Sequence, residues 1–356
     1  MTERARAKAL SVGSQISRRD MIAGAAAAGG ALMVAPTLAL AAAPATGAQM
    51  AAAATDLLAA LDEAQRAAAT FAVGGRRWLR WNYMTGSAFS PGVPMERMTA
   101  AQKERALTLL QSGLSQAGFD KAKRVMLQQD ILRDLMKKGS QNRNRDRFSV
   151  MVFGEPGASG IWGWRWEGHH LSLTYTLDGP NVVSVTPNSF SSEPNTVWDG
   201  PHKGMTALPD EERLGRQIFA DLSPKLQALA RFQDRSPGNV RATAGREGRI
   251  KTRAGVPLSD LTTPQRDLVV RLLDVYTSDH LPADLAGVQK ARAREGDLNA
   301  ARFAWAGDET REGASIYYRL HGDTFLIEFA SLHGQPLHLH TAVHDRQRNL
   351  GRHVRG

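Results

Sequence analysis

Alternating side chains in one short segment constrain the fold of this chain more than any other feature. Trp162, Trp164 and Trp166 alternate with polar residues, of which Arg165 and Glu167 carry charge. Because neighbouring side chains on a strand point to opposite faces, the pattern predicts a β-strand with one tryptophan face and one charged face. We expect the tryptophans to pack in a core. An exposed platform that stacks on sugar rings is the functional alternative.

Helical and strand patterns occur in separate blocks along the chain. Predicted antiparallel strands group at about 148–186 and 302–343, and helical patterns flank both groups. Blocks of this kind predict an α+β fold, with residues 49–356 as a single integrated domain. No Gly-rich phosphate loop follows a predicted strand, which disfavours nucleotide-binding folds. We expect residues 188–204 to be irregular and the Gly- and Arg-rich stretch 233–257 to be an exposed, mobile insertion.

Residues 1–43 have the pattern of a twin-arginine (Tat) export signal. Arg18 and Arg19 precede a weakly apolar stretch rich in Ala and Gly, and small residues near Ala43 suit cleavage. We therefore expect the Tat translocase as a partner during export, and localisation in the periplasm or outside the cell. An uncleaved anchor is the alternative, but glycines and a proline interrupt an apolar run that is weaker than a membrane span requires. After cleavage, no stable membrane span is predicted.

Cysteine is absent, and the formal net charge is +10 at pH 7. The first fact excludes disulfides, cysteine-ligated zinc, iron–sulfur clusters and thiol nucleophiles. The positive net charge would suit acidic partners, but we expect that an exported protein binds no nucleic acid. The basic clusters at 142–147 and 241–253 are therefore expected to be solvated loops, or contacts to anionic envelope surfaces.

Two distant pairs of histidines are the candidate metal ligands. His169 and His170 follow the tryptophan segment, and His338 and His340 stand two residues apart in a predicted strand, so that they share a face. Neutral imidazoles suit Zn, Cu and Fe, and two on one strand fix part of a coordination sphere in advance. A metal site requires that the two pairs meet in the fold. Otherwise these histidines satisfy hydrogen bonds in the core.

Two carboxylates could support such a site. Glu328 lies on the neighbouring strand of a predicted hairpin and could complete a set of histidine and carboxylate ligands. Asp345 could orient an imidazole from outside the coordination sphere, as carboxylates often do at metal sites. The remaining isolated histidines are expected at the surface or in solvent: His202, His280, His321 and His353.

The segment from Gly160 to Leu173 resembles the signature of a bacterial family of domains of unknown function, DUF3500. Other similar segments lie at 98–102, 261–266, 303–307, 317–322, 326–329 and 338–340, and the resemblance extends over roughly 71–351. The family name implies no activity, and only positions carry over. The positions that match are Arg165, Glu167, His169, His170, Glu328, His338, His340 and Asp345. The chain departs from the family at His344 and in its basic tail, which places His344 and His353 outside the predicted site.

These observations lead to two hypotheses of different classes. The leading one is an exported protein that performs metal-dependent chemistry on a small envelope molecule, by hydrolysis through a metal-activated water or by oxidation with copper or iron. Its metal ligands are the four paired histidines, and its catalytic residues are Glu167, Arg165 and Glu328. The alternative is a non-catalytic periplasmic protein that binds a small molecule or a glycan, with histidines of structural importance only.

Overall fold

One large mixed sheet organises the chain. The computed structural model describes residues 45–84, 91–136, 142–157, 159–309 and 314–354. The predicted Tat signal lies outside the described residues. Within them, no helix combines the length and the apolar character needed to cross a membrane. The arrangement of helices around the sheet is α+β in a single domain, as the block pattern predicts.

Thirteen strands form the sheet in the described part of the chain. In chain order they are β1 Thr70–Phe71, β2 Val93–Pro94, β3 Ser149–Phe153, β4 Ile161–Gly168, β5 Leu171–Asp178, β6 Asn181–Ser184, β7 Asn188–Phe190, β8 Arg231–Gln233, β9 Val256–Pro257, β10 Arg302–Gly307, β11 Ile316–His321, β12 Phe325–Leu332 and β13 Gln335–Asp345. Most neighbours are antiparallel, while β1 pairs with β3, and β8 with β10, in parallel.

The α-helices come before and between the two groups of strands. They are α1 Thr46–Ala60, α2 Glu63–Ala69, α3 Arg76–Leu79, α4 Ala100–Ser112, α5 Gln116–Met136, α6 Pro209–Ala220, α7 Pro224–Ala230, α8 Thr263–Tyr276 and α9 Ala283–Glu295. A capping box begins α4: Thr99 accepts from the backbone N–H of Gln102, whose side chain accepts from the N–H of Thr99. This reciprocal capping box satisfies two N–H groups that a helix start otherwise leaves unpaired.

A strand in the segment predicted to be irregular joins the two groups into one sheet. The spatial order is β1-β3-β4-β5-β7-β13-β12-β11-β10-β8, and β7 lies between β5 and β13. Asn188 pairs with Leu173 on one side and with Val343 on the other. The irregular assignment of residues 188–190 is therefore wrong. The strand is short and polar, so that sequence alone showed no alternation to reveal it.

The two faces of the sheet differ in chemistry. Trp162, Trp164 and Trp166 are fully buried on the face that packs against the helices, and the ring of Trp164 stacks on that of Tyr175 with centroids 4.4 Å apart. The tryptophans therefore form core, as predicted, and the sugar-platform alternative is wrong. Each buried aromatic contributes roughly 1.5–3 kcal/mol through the apolar surface it removes from water.

The opposite face is polar and yet buried, because irregular segments cover it. Its buried polar side chains are Arg165, Glu167, Ser172, Thr174, Thr176, Ser189, Arg319, His321, Glu328, His340 and His344. Such groups are costly to bury unless they are hydrogen-bonded, paired or bound to a ligand. A buried polar sheet face is therefore where function is to be sought.

The Gly- and Arg-rich stretch 233–257 is part of that cover. Val240, Ala242 and Ile250 are buried, and the backbone N–H groups of Arg241 and Ala242 donate to the carboxylate of Glu328. The expectation of an exposed insertion is therefore wrong for these residues. Glycines and arginines dominated the pattern, and the buried apolar residues between them are too widely spaced to predict a packed segment.

Candidate metal centre

A tight turn between β4 and β5 presents the first histidine pair. Gly168 pairs with Leu171, so that His169 and His170 form a two-residue turn. The φ of His170 is 72°, in the left-handed region that non-glycine residues seldom adopt. Two backbone hydrogen bonds hold the residue there. Its N–H donates to the Tyr83 carbonyl at 2.8 Å, and its carbonyl accepts from the Ser191 N–H at 2.7 Å.

The second pair lies on β13, which β7 brings beside this turn. Nε2 of His338 lies 2.9 Å from Nε2 of His170, although the two residues are 168 positions apart in sequence. On its other side, the same atom lies 3.1 Å from Nε2 of His340. Two imidazole nitrogens bound 2.0–2.1 Å from one ion would stand about 2.9–3.4 Å apart for angles between 90° and 109°. The two observed distances, 2.9 and 3.1 Å, fall in this range and so fit nitrogens that share an ion.

Hydrogen bonds on the far side of each ring determine which nitrogen carries the proton. Nδ1 of His340 lies 2.8 Å from Oδ1 of Asn239. That oxygen also accepts from the backbone N–H of Val240 at 2.8 Å, which identifies it as the amide oxygen. Nδ1 of His340 therefore donates, and Nε2 of the neutral ring presents a lone pair.

The same reasoning applies to His338. Its Nδ1 lies 3.2 Å from Oε1 of Glu193 and 2.8 Å from Oε1 of Gln335. An ionised carboxylate can only accept, so that Nδ1 of His338 donates, and in the neutral ring Nε2 presents a lone pair. The lone pairs of His338 and His340 thus face each other across 3.1 Å. Direct contact between two acceptors is unfavourable, and a cation between them removes the conflict.

Further groups surround these three imidazoles. One ligand atom from each of His169, His170, Glu193 and His338 lies within 4.8 Å of the others. The ring of His169 lies against that of His170 with centroids 3.5 Å apart. Nδ1 of His169 lies 2.7 Å from Oε1 of Gln129. Glu193 and His169 are therefore near enough to assist an ion that the three Nε2 atoms would hold.

Burial keeps the rings of His169, His170 and His340 neutral, which is the form that binds metals. Burial, and then the nearby His338 ring, lower the pKa of His340 to about 3. The pKa of His170 falls well below its ordinary value because the ring is buried and because other imidazoles surround it. For His169, burial is again the main cause, followed by the positive charge of Arg143. All three rings therefore offer lone pairs at neutral pH.

Glu193 is the charged partner of the cluster. Burial would raise its pKa, but the hydrogen bond from His338 and the positive charge of Arg143 lower it overall. Nη2 of Arg143 lies 3.6 Å from Oε2 of Glu193, and the guanidinium also contacts the His169 ring. An ionised carboxylate on the outer nitrogen of a ligating histidine fixes the orientation of the ring and raises its basicity.

Comparison with known proteins agrees with the resemblance seen in the sequence. The model of a family described as a protein of unknown function (DUF3500) matches residues 43–352. The chain belongs to the DUF3500 family. No curated protein and no solved structure matches it.

The sequence predicts catalytic roles for Arg165 and Glu167 in this DUF3500 protein. In the structure, both side chains bind the backbone of a segment next to the histidine cluster. The Arg165 guanidinium donates to the backbone carbonyls of residues 77, 78 and 80 at 3.1, 2.6 and 3.0 Å. Oε1 of Glu167 accepts from the N–H of Asn82 at 2.7 Å. These hydrogen bonds hold in place the segment that carries Tyr83. The centroid of the Tyr83 ring lies 5.0 Å from that of the His340 ring. Arg165 and Glu167 are therefore placed to position this segment beside the candidate site.

Glu328 and Asp345 bind groups outside the cluster. The Glu328 carboxylate accepts from Tyr317 Oη at 2.6 Å and from two backbone N–H groups of the 241–242 segment. Asp345 forms an ion pair with Arg292, at 3.1 Å from Nε to Oδ2. Glu328 shares the sheet face of His340 and stabilises the cover over it. Asp345 is bound to α9 through Arg292. These contacts orient none of the four candidate histidines.

Several residues at this centre of the DUF3500 protein were not predicted from the sequence. Glu193 and Asn239 lie in segments expected to be irregular or exposed, and Arg143 lies in a basic cluster expected to be solvated. The expectation for Arg143 is wrong, because its side chain is only 20% exposed. Acceptor residues on loops show no periodicity, so that only the fold reveals which of them reach a ring nitrogen.

The isolated histidines divide into two groups. His202 and His353 are exposed, as expected. His280 and His321 are buried, so that the expectation for them is wrong. Nε2 of His280 accepts from the Lys121 ammonium at 2.9 Å. His321 ends β11 on the polar face of the sheet, where strand pairing buries it although a Gly-Asp turn follows in the sequence.

Proposed function

We propose that this DUF3500 protein is a metal-dependent enzyme of the cell envelope. The Nε2 atoms of His170, His338 and His340 hold a divalent transition-metal ion. The observation that carries the proposal is the pair of facing lone pairs on His338 and His340, 3.1 Å apart with both Nδ1 atoms already donating. A hydrogen bond between two neutral rings does not account for that arrangement, because neither Nε2 then carries a proton.

The donor set favours an ion of intermediate softness. Imidazole nitrogens suit Zn, Cu and Fe(II), and three nitrogen ligands leave room for a water or a substrate in an open position. Glu193 on His338 and Asn239 on His340 orient two of the ligands, as outer partners do in known metal sites.

Hydrolysis of a small molecule is the reaction that the surroundings favour. A zinc ion with three histidine ligands lowers the pKa of a bound water to about 7 and so supplies a nucleophile. The His338 side of the cluster reaches the surface, since its side chain is 13% exposed and that of Glu193 is 16% exposed. Arg143 lies at the same opening and can hold a polar or acidic part of the substrate.

Oxidation is the second candidate, and one observation supports it. Tyr83 packs edge-on against His340, and its ring lies 5.8 Å from that of Trp81. Oxidisable aromatic side chains beside a ligating histidine would suit copper or iron rather than zinc. The identity of the bound metal separates the two reactions.

Export is part of the proposal and depends on residues 1–43, whose twin arginines and cleavage pattern match a Tat signal. A chain exported by this route would act in the periplasm or outside the cell. Its substrate would then be a small molecule of the envelope.

Metal analysis of the protein tests the proposal. The chain is expressed with its signal, recovered from the periplasm, and analysed by elemental mass spectrometry. We expect a stoichiometric ion in the wild type and in His202→Ala, which removes an exposed histidine. Loss of the ion is expected in His338→Ala and His340→Ala. A wild type that holds no ion, even after incubation with Zn, Cu and Fe(II), would leave the protein as a non-catalytic binding protein.

A further inference from the structure

A second cluster of buried polar groups lies at the other end of the polar sheet face. His340 pairs across the sheet with Ala330, whereas His344 pairs with Leu326, which in turn pairs with His321. The row that contains His321 is thus four residues from the row that contains His340, or about 13 Å along the strands. The two clusters are separate in space.

His321 has no hydrogen-bond partner among the described residues. The residue is fully buried, and both of its ring nitrogens are without a partner. Nε of Arg319, two residues earlier on the same face of β11, is buried and unpartnered as well. An unsatisfied buried donor or acceptor destabilises the folded state, because it loses its hydrogen bonds to water and gains none in return. Three such atoms on one patch therefore indicate a missing polar partner.

Positive charge surrounds these atoms. Nη1 of Arg346 donates to the carbonyls of Gly322 and Asp323 at 3.2 and 3.3 Å, in the turn that follows His321. Arg253 forms an ion pair with the Asp323 carboxylate in the same turn. Burial, and then the charges of Arg346, Arg319 and Arg253, lower the pKa of His321 to about 3.

Few negative charges balance these arginines. Asp323 is one, and it is bound by Arg253. Glu328 lies across from Arg319 in the strand register, and three donors from Tyr317 and the 241–242 backbone already bind its carboxylate. Arg319 itself donates through Nη2 to the Thr252 carbonyl at 3.2 Å and lies over the Phe232 ring. Arginine donors therefore exceed the carboxylates available to accept from them.

We infer that this cluster is a binding site for a tetrahedral oxyanion, either phosphate or sulfate. The Arg319 Nε–H and a ring N–H of His321 donate to two of its oxygens. Arg346 and Arg253 supply the remaining positive charge at the opening, where the Arg253 side chain is 31% exposed. Charge-assisted hydrogen bonds of this kind are the strong ones, and arginine is well suited to oxyanions.

Calorimetric titration with inorganic phosphate and with sulfate tests this site, at a constant ionic strength set with chloride. We expect saturable binding in the wild type. Arg346→Gln should weaken it by about tenfold, because the substitution removes a positive charge from the opening of the site. Arg348→Gln removes a neighbouring arginine that pairs instead with Glu295, and it should leave the affinity within about twofold.

The metal centre could also bind phosphate, so the titration is repeated in His338→Ala. Binding that survives in His338→Ala but falls in Arg346→Gln supports the site. Binding that is lost in His338→Ala and unchanged in Arg346→Gln places the anion on the metal, and overturns the inference. The absence of saturable binding in the wild type overturns it as well.

A third titration identifies the source of the anion. Glycerol 3-phosphate that competes with inorganic phosphate would mean that the site accepts a phosphate group carried by a larger molecule. Binding of the inorganic ion alone would mean that the site holds a free anion. Because Arg346 is only partly buried, its substitution is not expected to prevent folding, and the result remains interpretable.

Discussion

Nε2 of His338 and Nε2 of His340 lie 3.1 Å apart on one face of β13. Both rings donate through Nδ1, one to Glu193 and the other to Asn239. Two neutral imidazoles in this state repel each other through their lone pairs. A divalent ion converts that repulsion into shared coordination, so that metal binding and local stability are coupled.

Metal removal should therefore lower the stability of the folded chain. Ligand binding to the folded state adds about 4 kcal/mol when the free ion is at a thousand times its dissociation constant. We expect the thermal midpoint to fall when a chelator is added to the wild type and to recover with the metal. In His340→Ala, the chelator should have no effect. An equal fall in that variant would show that the ion binds elsewhere.

Glu193 should control affinity for the ion without being required for folding. Its carboxylate orients His338 through Nδ1, and loss of an outer partner of this kind costs 10–100-fold in metal affinity. We expect that loss in Glu193→Ala, measured by competition with a chromogenic chelator. Glu193→Gln retains an acceptor oxygen and should lie between Glu193→Ala and the wild type. Equal affinity in all three proteins would contradict the role given to Glu193.

Much of the fold could be predicted because its core elements follow simple periodicities. The alternation around Trp164 gives β4, and the apolar spacing and caps around Gln102 and Thr263 give α4 and α8. What could not be predicted is the joining of the two strand groups. The short strand β7 joins them, and it contains Asn188 and Ser189, whose burial results from neighbours far away in sequence.

In the candidate site, too, some features could be predicted from the sequence and others could not. Histidine pairs stand out in any sequence, and their i,i+2 spacing on a strand predicts that His338 and His340 share a face. The distance between His170 and His338 depends on the pairing of β7 with β13, which the sequence does not reveal. Glu193 and Asn239 reach the rings from loops. Their importance comes from contacts rather than from any pattern.

The left-handed conformation of His170 should make its substitutions unequal. Asparagine tolerates a positive φ, whereas a β-branched residue at the observed φ of 72° is strained by roughly 1–2 kcal/mol. We expect His170→Asn and His170→Val both to lose the metal. In the metal-free state, His170→Val should be the less stable by about that amount, as measured by urea denaturation. Equal stability would mean that the turn relaxes to a different conformation.

Glu167 should make the stability of the protein depend on pH. Burial raises the pKa of its carboxyl to about 7, although Arg165 and the N–H of Asn82 oppose the shift. Because the folded state then binds the proton more tightly than the unfolded chain, this contribution is complete below pH 4.5 and is lost as the pH rises through 7. The loss between pH 5 and pH 8 amounts to roughly 2–3 kcal/mol.

Comparison with Glu167→Gln isolates this effect. The amide has a similar shape and does not titrate in this range, so the free energy of unfolding of the variant should fall less between pH 5 and pH 8. Urea denaturation at both pH values measures the difference. Parallel pH profiles for the two proteins would show that Glu167 stays ionised in the fold.

A buried ion pair between α5 and α6 provides the last prediction. Nζ of Lys121 lies 2.7 Å from Oε1 of Glu211, whose side chain is fully buried, and the ammonium also donates to His280. Removal of one partner leaves an uncompensated buried charge, which costs about 3–5 kcal/mol. We expect Lys121→Met to lower the free energy of unfolding by this amount. Adding Glu211→Gln should recover part of the loss, because the unpaired carboxylate is then gone.

Lys123→Met is the matched control. It removes a lysine of the same helix whose partner, Asp120, is partly exposed to solvent. Solvent screens exposed pairs of this kind, so that urea denaturation should hardly distinguish this variant from the wild type. A Lys121→Met variant no less stable than Lys123→Met would contradict the assignment of a buried ion pair to Lys121 and Glu211.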